Sequence, residues 1–305
     1  MSGGERAAVE EAEAEEEEEE IVVGMGSYGG KVRILNGDPS EEMMLLWCLQ
    51  QPTLSKNNAL VRQSSNQLHL DACGRSLSIH QSPSSLGTPG VTGAVMWDSG
   101  VVLGKFLEYA VEVGMIGLQG KKVVELGSGC GLVGCIAALL GAQIILTDMP
   151  DRLRLLKKNI EANLYGDLRG SAIVNELVWG DDPDPELCNP LPDYVLGSDV
   201  IYSEGAVMDL LTTLVQLCGT HTTIILAGEL RNGMSFYFSS SMYIQRSKDC
   251  VRVADAILEY FLEAAMKEFS VGRIDQAQWH PDYCSARVVI YVMVKKSREN
   301  EDLVN

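Results

Sequence analysis

Residues 123–134 read Val-Val-Glu-Leu-Gly-Ser-Gly-Cys-Gly-Leu-Val-Gly, and this stretch decides the fold. The apolar run Val123–Leu126 predicts a buried strand, and the segment Gly131–Leu140 predicts a helix directly after it. The glycines between them allow a sharp turn and let a ligand approach bare backbone beside the amides of a helix N-terminus. From Gly129 onward, the pattern Gly-x-Gly-x-x-Gly also satisfies the dinucleotide fingerprint, so the glycines alone leave the identity of the cofactor open.

Strands and helices alternate from this loop to the C-terminal part of the chain. The predicted strands are 123–126, 144–146, 173–178, 194–197, 223–227 and a closing pair at 271–274 and 287–294. The predicted helices are 98–113, 131–140, 152–162, 207–218 and 254–269. This alternation predicts an α/β fold with a mostly parallel sheet covered on both faces. Ligands of such sheets bind at the carboxyl ends of the strands, near the switch point of the topology.

The chain divides into a main domain, expected at residues 67–296, and flanking segments. Residues 21–66 form an N-terminal extension in which one helix is predicted, near Pro39–Leu49. Alternating apolar residues over Leu68–Ile79 predict a β-hairpin at the start of the main domain. The Ser- and aromatic-rich residues 233–253 are predicted to be an insertion, and residues 297–305 are predicted to be a C-terminal tail.

Acidic residues are concentrated at the N-terminus. Residues 1–20 contain ten glutamates and one arginine, so they carry half of the formal net charge of −18. Such a segment cannot bury enough apolar surface to become ordered, which predicts a disordered acidic tail. The rest of the chain lacks a stripe of lysine and arginine that would bind phosphates, so no nucleic-acid partner is expected. No apolar run approaches the ~20 residues that a membrane span requires, so no membrane association is expected either.

Cysteine and histidine usage bears on metal binding and on the cellular compartment. The eight cysteines are scattered without a Cys-x-x-Cys pair, and the four histidines lie far apart. Because zinc requires clustered ligands, no metal site is expected. Reduced thiols are typical of the cytosol and nucleus, which predicts a cytoplasmic protein that can also be nuclear. The sequence contains no signal for the oligomeric state, and a monomer is the default expectation.

Polar and aromatic side chains are predicted to meet beside the glycine loop. Asp148 ends the second strand, where a carboxylate can accept two ribose hydroxyls of either cofactor class. Asp199 and Tyr202 follow the fourth strand, opposite the loop in a doubly wound sheet, where a transferred group would emerge. Trp97 and Trp179 can stack on adenine or present a ring face to a sulfonium. These two rings favour S-adenosylmethionine over a nicotinamide cofactor.

These motifs resemble the seven-β-strand protein-lysine methyltransferases of lysine methyltransferase family 16. The resemblance covers approximately residues 68–296 and includes the hairpin, a Trp-Asp element, Glu-Leu-Gly-Ser-Gly, Thr-Asp, a Trp-Gly after the third strand and Asp-x-x-Tyr after the fourth. It implies a Rossmann-like, seven-stranded methyltransferase sheet with an N-terminal β-hairpin extension and S-adenosyl-L-methionine as cofactor. It also implies a protein substrate of the ATPase, chaperone or translation-factor class.

The resemblance also implies the roles of individual residues. Cofactor contacts are implied for Trp97, Gly127, Ser128, Gly129, Asp148, Trp179 and Ser198. Catalytic roles are implied for Asp199 and Tyr202, which would face the methyl group and the incoming amine. Glu229, which follows the fifth strand, would line the substrate channel.

Three other functions remain open at this point. A methyltransferase acting on a small molecule or a nucleic acid is one, although amine methylation of bases commonly uses an Asn/Asp-Pro-Pro-aromatic motif and no proline follows Asp199. A nicotinamide-dependent oxidoreductase is the second, and it would leave Trp97 and Tyr202 unexplained. The third is a non-catalytic scaffold that keeps the fold and binds partners through the acidic tail.

Overall fold

The computed structural model describes residues 21–87, 93–166, 168–231 and 256–296. The predicted acidic tail, the predicted insertion at 233–253 and the predicted C-terminal tail lie outside the described residues. Within the described ranges, no helix has the length and apolar character needed to cross a bilayer. The cysteines within these ranges are all free thiols.

The described residues form eleven strands and seven α-helices. The strands are β1 (Ile21–Met25), β2 (Tyr28–Ile34), β3 (Gln67–Ala72), β4 (Arg75–His80), β5 (Lys122–Leu126), β6 (Gln143–Asp148), β7 (Ser171–Glu176), β8 (Tyr194–Ser198), β9 (Thr223–Glu229), β10 (Phe269–Arg273) and β11 (Val288–Lys295). The helices are α1 (Pro39–Gln50), α2 (Asp98–Glu112), α3 (Leu132–Leu139), α4 (Leu153–Asn163), α5 (Pro185–Cys188), α6 (Glu204–Leu217) and α7 (Ala256–Glu268).

Nine strands form one sheet in the order β1-β2-β10-β11-β9-β8-β5-β6-β7. Strands β5 to β9 are parallel, and β11 inserts antiparallel between β9 and β10. One hydrophobic cluster packs α2, α3 and α4 on one face, and a second cluster packs α1, α6 and α7 on the other. Strands β5 to β11 are the seven predicted strands, so the structure confirms the Rossmann-like fold.

The order of the strands creates a switch point between β5 and β8. The chain proceeds from β5 to β6 and β7 on one side, and then continues to β8 and β9 on the other. The segment after β5 leads to one side of the sheet and the segment after β8 leads to the other, which leaves a crevice between them outside the carboxyl ends of these strands. The glycine loop follows β5 and Asp199 follows β8, so both lie at this crevice.

Strands β1 and β2 extend the sheet and were not predicted from the sequence. β2 pairs antiparallel with β10, where Ile34 is opposite Gly272, and β1 pairs with β2. Four glycines in residues 21–34 interrupt the alternation of side chains, which weakens the strand signal. Tyr28 and Val32 are nevertheless fully buried, so this part of the N-terminal extension belongs to the core of the main sheet.

The predicted hairpin is present as β3 and β4, which form a separate two-stranded sheet held by α4. Asn159 Oδ1 accepts the His80 N–H at 2.9 Å, and its Nδ2 donates to the carbonyls of His80 and Cys130, both at 2.9 Å. Asn163 binds the N–H and C=O of Ser78 in the same way, at 2.7 and 3.0 Å. Asn159 therefore connects the hairpin to the glycine loop.

We expect Asn159→Ala to lower the free energy of unfolding by about 2–3 kcal/mol, because it leaves buried backbone groups of His80 and Cys130 without partners. Urea denaturation followed by circular dichroism measures the change. Lys158→Ala, at an exposed neighbouring position on α4, is the control and should change stability by less than about 0.5 kcal/mol. Equal effects of the two substitutions would contradict this role of Asn159.

Candidate active site

A cavity of about 280 Å³ lies at the carboxyl ends of the parallel strands. Its walls come from the segments after β5, β6, β7 and β8 and from the starts of α2 and α6. Nine of the ten site residues predicted from the sequence line it: Trp97, Gly127, Ser128, Gly129, Asp148, Trp179, Ser198, Asp199 and Tyr202. The predicted convergence of these residues on one crevice is therefore present.

The glycine loop presents bare backbone to this cavity. Gly127 and Gly129 have φ angles of 58° and 52°, in the left-handed region. A Cβ at Gly127 would lie 3.2 Å from Trp179 Cζ2, and a Cβ at Gly129 would lie 3.1 Å from the Gly93 carbonyl oxygen. Conformation and space thus both require glycine at these two positions.

Asp148 fixes the loop in place. Its Oδ2 accepts the Gly129 N–H at 2.7 Å, and its Oδ1 accepts the Met149 N–H at 2.8 Å. Burial raises the pKa of this carboxyl, and the two N–H groups partly offset that effect. Each carboxylate oxygen has more than one lone pair, so Asp148 can accept ribose hydroxyls without releasing the loop.

The remaining predicted cofactor contacts border the cavity from different elements. Trp97 has an extended backbone and directly precedes α2, whereas Trp179 follows β7 and packs near Gly127. The Ser128 N–H donates to the Thr147 carbonyl at 2.9 Å, which ties the loop to β6. Ser198 is the last residue of β8. The two tryptophans therefore line the same cavity, Trp97 from the segment before α2 and Trp179 from the segment after β7.

Asp199 is buried at the carboxyl end of β8. Its φ of 57° is left-handed, a conformation that aspartate tolerates better than most residues. Oδ1 accepts the Glu229 N–H at 3.2 Å, whereas Oδ2 is fully buried beside the Ser99 hydroxyl and makes no hydrogen bond of standard geometry. Burial raises the pKa of the carboxyl, and the guanidinium of Arg231 opposes this shift.

The structure adds Arg231 to the site, which the sequence analysis did not predict. Arg231 Nη2 lies 3.1 Å from Asp199 Oδ1. Its Cζ lies 5.2 Å from the centre of the Trp97 ring and 6.0 Å from the centre of the Tyr202 ring. One signal was available, because Arg231 is two residues beyond Glu229 and side chains two apart in an extended chain point to the same side.

Glu229 is the one predicted site residue that does not line the cavity. Its Oε1 accepts the Asp98 N–H at 2.8 Å, so it binds the start of α2. Burial, together with the nearby carboxylates of Asp199 and Asp98, raises the pKa of Glu229 to about 7. The structure places Glu229 next to Asp199 rather than in the cavity wall, and its role in a substrate channel stays a prediction.

Glu125 is a second buried acid at the cavity. Burial raises its pKa to about 8, and its Oε2 makes no hydrogen bond of standard geometry. The sequence analysis treated Glu125 only as the first residue of the loop motif. In the structure, burial favours the protonated form of this acid at the cavity.

The donor groups of this cavity fit S-adenosylmethionine. The loop at Gly127 and Gly129 forms a cradle that a Cβ would fill, and Asp148 offers a carboxylate to a ribose. Trp97 and Trp179 offer ring faces to an adenine or a sulfonium. Among the described residues, no group of three or more His, Cys, Asp or Glu side chains is arranged to hold a metal ion.

We expect Asp148→Asn to weaken binding of S-adenosylhomocysteine by about 10- to 100-fold, because hydrogen bonds to a charged group contribute about 1.5–3 kcal/mol. Isothermal titration calorimetry measures the affinity. Asp182→Asn, at an exposed position that does not line the cavity, is the control. An unchanged affinity in Asp148→Asn would exclude Asp148 as the ribose ligand.

We expect the free energy of unfolding of Glu125→Gln to increase relative to that of the wild type as the pH rises from 5 to 8. The folded-state pKa of about 8 lies above the ordinary value of 4.5, so the unfolded chain ionises first and the wild type loses stability over this range. The difference should reach a few kcal/mol, since one pKa unit corresponds to about 1.36 kcal/mol. Urea denaturation at both pH values checks it, and a difference independent of pH would contradict the raised pKa.

Comparison with known proteins identifies the family. A family model described as lysine methyltransferase matches residues 75–245, more than half of the chain. The chain is 46% identical over 138 residues to protein N-lysine methyltransferase METTL21A of Mus musculus, covering 45% of this chain and 61% of that protein. It is 40% identical over 159 residues to EEF1A lysine methyltransferase 3 of Mus musculus, covering 52% of this chain and 64% of that protein.

A further relative is matched over more of its length. EEF1A lysine methyltransferase 3 of Xenopus tropicalis is 35% identical over 193 residues, covering 59% of this chain and 80% of that protein. The chain spans less than two thirds of the length of the two mouse relatives. These matches confirm the family resemblance and, with it, S-adenosylmethionine as the cofactor predicted from the sequence. The chain belongs to the lysine methyltransferase family.

Proposed function

We propose that this protein transfers a methyl group from S-adenosylmethionine to a lysine ε-amine of a protein substrate. The observation that carries the proposal is the position of Asp199. Its buried carboxylate and the phenol of Tyr202 line the same cavity as the glycine loop and Asp148. A cofactor held by the loop and Asp148 would thus share its cavity with two acceptors for an amine.

The reaction requires alignment more than covalent participation of the protein. Bound S-adenosylmethionine supplies a methyl group on a sulfonium, and the amine lone pair forms the N–C bond while the C–S bond breaks and sulfur keeps the electron pair. The lysine ammonium has an ordinary pKa of about 10.4, so it must first lose a proton to solvent. In the cavity, the Asp199 carboxylate and the Tyr202 hydroxyl would accept hydrogen bonds from the amine and orient its lone pair. Asp199 would then stabilise the positive charge that nitrogen gains on transfer.

A non-catalytic scaffold explains the cavity less well. Burying a carboxylate costs free energy, and a scaffold would have no use for that cost at Asp199. A small-molecule or nucleic-acid substrate remains the alternative. Against it stands the Asp199-Val-Ile-Tyr202 motif, which lacks the prolines common in enzymes that methylate amines of bases.

The relatives support a protein as the substrate. One is named for protein N-lysine methylation and another for lysine methylation of EEF1A. We extend the proposal to a substrate of the ATPase, chaperone or translation-factor class, acted on by a monomer of this chain.

Incubation with tritiated S-adenosylmethionine and cell lysate tests the proposed function, followed by amino-acid analysis of the labelled protein. We expect label in methyl-lysine. Asp199→Asn should reduce labelling by about 100-fold, as removal of one electrostatic contact to a developing charge does elsewhere, and should retain S-adenosylhomocysteine binding. Asparagine is the substitution of choice because it also tolerates the left-handed backbone.

Asp181→Asn is the matched control, since this aspartate is exposed and does not line the cavity. It should label the lysate at the wild-type rate. Label in a residue other than lysine would support the alternative substrate class. Wild-type labelling by Asp199→Asn would remove Asp199 from the catalytic residues.

A further inference from the structure

Arg231 lies inside a small group of side chains that would otherwise suit the substrate's own cation. The carboxylate of Asp199 and the rings of Trp97 and Tyr202 all line the cavity, and the Arg231 guanidinium contacts each of them. A carboxylate and two aromatic faces are the surroundings that bind an ammonium or guanidinium ion. Arg231 therefore occupies part of the site proposed for the substrate lysine.

The two carboxylate oxygens of Asp199 have different surroundings. Oδ1 lies 3.1 Å from Arg231 Nη2 and accepts the Glu229 N–H at 3.2 Å, so both groups act on the same oxygen. Oδ2 is the buried oxygen without a hydrogen bond of standard geometry. Because Oδ2 has no exposed surface, Asp199 acts on the cavity through Oδ1, the oxygen that Arg231 holds.

Arg231 is also the charge that balances a group of acids. Glu229, at the end of β9, contacts Asp199 through its N–H and contacts Asp98 of α2 through Oε1. The Asp98 carboxylate accepts hydrogen bonds from the backbone N–H groups of residues 59–61. Arg287, the residue before β11, also lowers the pKa of Asp98. Tyr202 faces Asp199 from the segment after β8, and its ring contacts Arg231. Arg231 is the cation in direct contact with Asp199 in the described part of the chain.

We propose, on the basis of the function proposed above, that Arg231 is a positioning residue that keeps Asp199 ionised and fixes its Oδ1 beside the rings of Trp97 and Tyr202. Burial alone would favour the protonated carboxyl, which could not accept a hydrogen bond at both oxygens. The guanidinium counteracts burial, because an opposite charge at hydrogen-bond distance favours the ionised form.

The same guanidinium acts on the substrate nitrogen. Two cations close together disfavour each other, so Arg231 favours the neutral form of an amine bound beside Asp199. The neutral amine is the form that attacks the methyl group. Loss of Arg231 should raise the pKa of Asp199 and the pKa of the bound amine together, so the activity should require a higher pH for both reasons.

The identity of the side chain matters as well as its charge. The planar guanidinium can hydrogen-bond Asp199 and lie over the rings of Trp97 and Tyr202 at the same time, whereas a lysine ammonium is a compact point charge. Arg231→Lys should therefore restore the ionised state of Asp199 in part. Arg231→Gln keeps a similar length and removes the charge.

The experiment combines two readouts on the full chain at several pH values. Carbon-13 NMR of aspartate-labelled protein gives the pKa of the Asp199 carboxyl directly, and the Asp199→Asn variant assigns its signal. Initial rates of tritium transfer to lysate protein at saturating S-adenosylmethionine give the acidic limb of the pH profile. Calorimetry with S-adenosylhomocysteine monitors the cofactor site, and circular dichroism monitors folding.

In Arg231→Gln we expect the Asp199 pKa to rise by about one unit and the acidic limb to move up by at least as much. Affinity for S-adenosylhomocysteine should be retained, since Asp148 and the loop are unaltered, although Arg231 contacts the Trp97 ring; saturating cofactor separates any change in affinity from the pH profile. Arg231→Lys should give a smaller shift. Arg154→Gln, which removes the same charge from an exposed position on α4, should leave the Asp199 pKa and the pH profile unchanged.

An Asp199 pKa that does not move in Arg231→Gln would overturn the proposal, as would a loss of rate that is the same at every pH. The NMR titration does not depend on catalysis. A wild-type protein that labels no substrate would thus contradict the proposed function, while the titration would still decide whether Arg231 keeps Asp199 ionised.

Discussion

The hydrogen bond from the Gly129 N–H to Asp148 Oδ2, 2.7 Å long, holds the turn after β5 against the end of β6. Ser128 reinforces this attachment through the Thr147 carbonyl, and Asn159 reaches the same loop at the Cys130 carbonyl. Without these contacts, a glycine-rich turn would sample many backbone conformations. Because the loop is fixed, its bare backbone and the carboxylate of Asp148 meet in one place and can serve a single ligand.

The cavity concentrates buried acids whose charged forms are disfavoured. Burial raises the pKa of Glu125, Asp148, Asp199 and Glu229. In a protein that bound nothing, this arrangement would only lower stability. A cationic sulfonium and a cationic or newly methylated amine are the partners that would relieve it, since an opposite charge nearby favours the ionised acid. Within the described residues, Arg231 acts in this way on Asp199 and Arg152 acts in this way on Asp148. The electrostatics of the site thus match the positive charge of the ligands proposed for it.

Much of the fold and the site could be predicted because both follow from local pattern plus parallel topology. Short apolar runs alternating with amphipathic helices require a parallel sheet, and such a sheet brings the residues after β5, β6 and β8 to one edge. Asp148 and Asp199 were therefore predictable without coordinates. Strands β1 and β2 were missed because their glycines weaken the alternation on which strand prediction depends. The hydrogen bond of Glu229 to the Asp98 N–H depends on side-chain packing across the sheet, which no local pattern encodes. For Arg231, the two-residue spacing from Glu229 was the available signal, and it does not specify the contacts with Trp97 and Asp199.

The central claim is that one cavity holds the adenosyl group at the glycine loop and Asp148 and directs the reacting sulfur toward Asp199 and Tyr202. A crystal structure of the full chain with S-adenosylhomocysteine tests it most directly. The account predicts the ribose hydroxyls on Asp148, the homocysteine backbone along the Gly127–Gly129 turn, and the sulfur on the side of the cavity lined by Asp199. An adenosyl group bound elsewhere, or a sulfur pointing away from Asp199 and Tyr202, would contradict it.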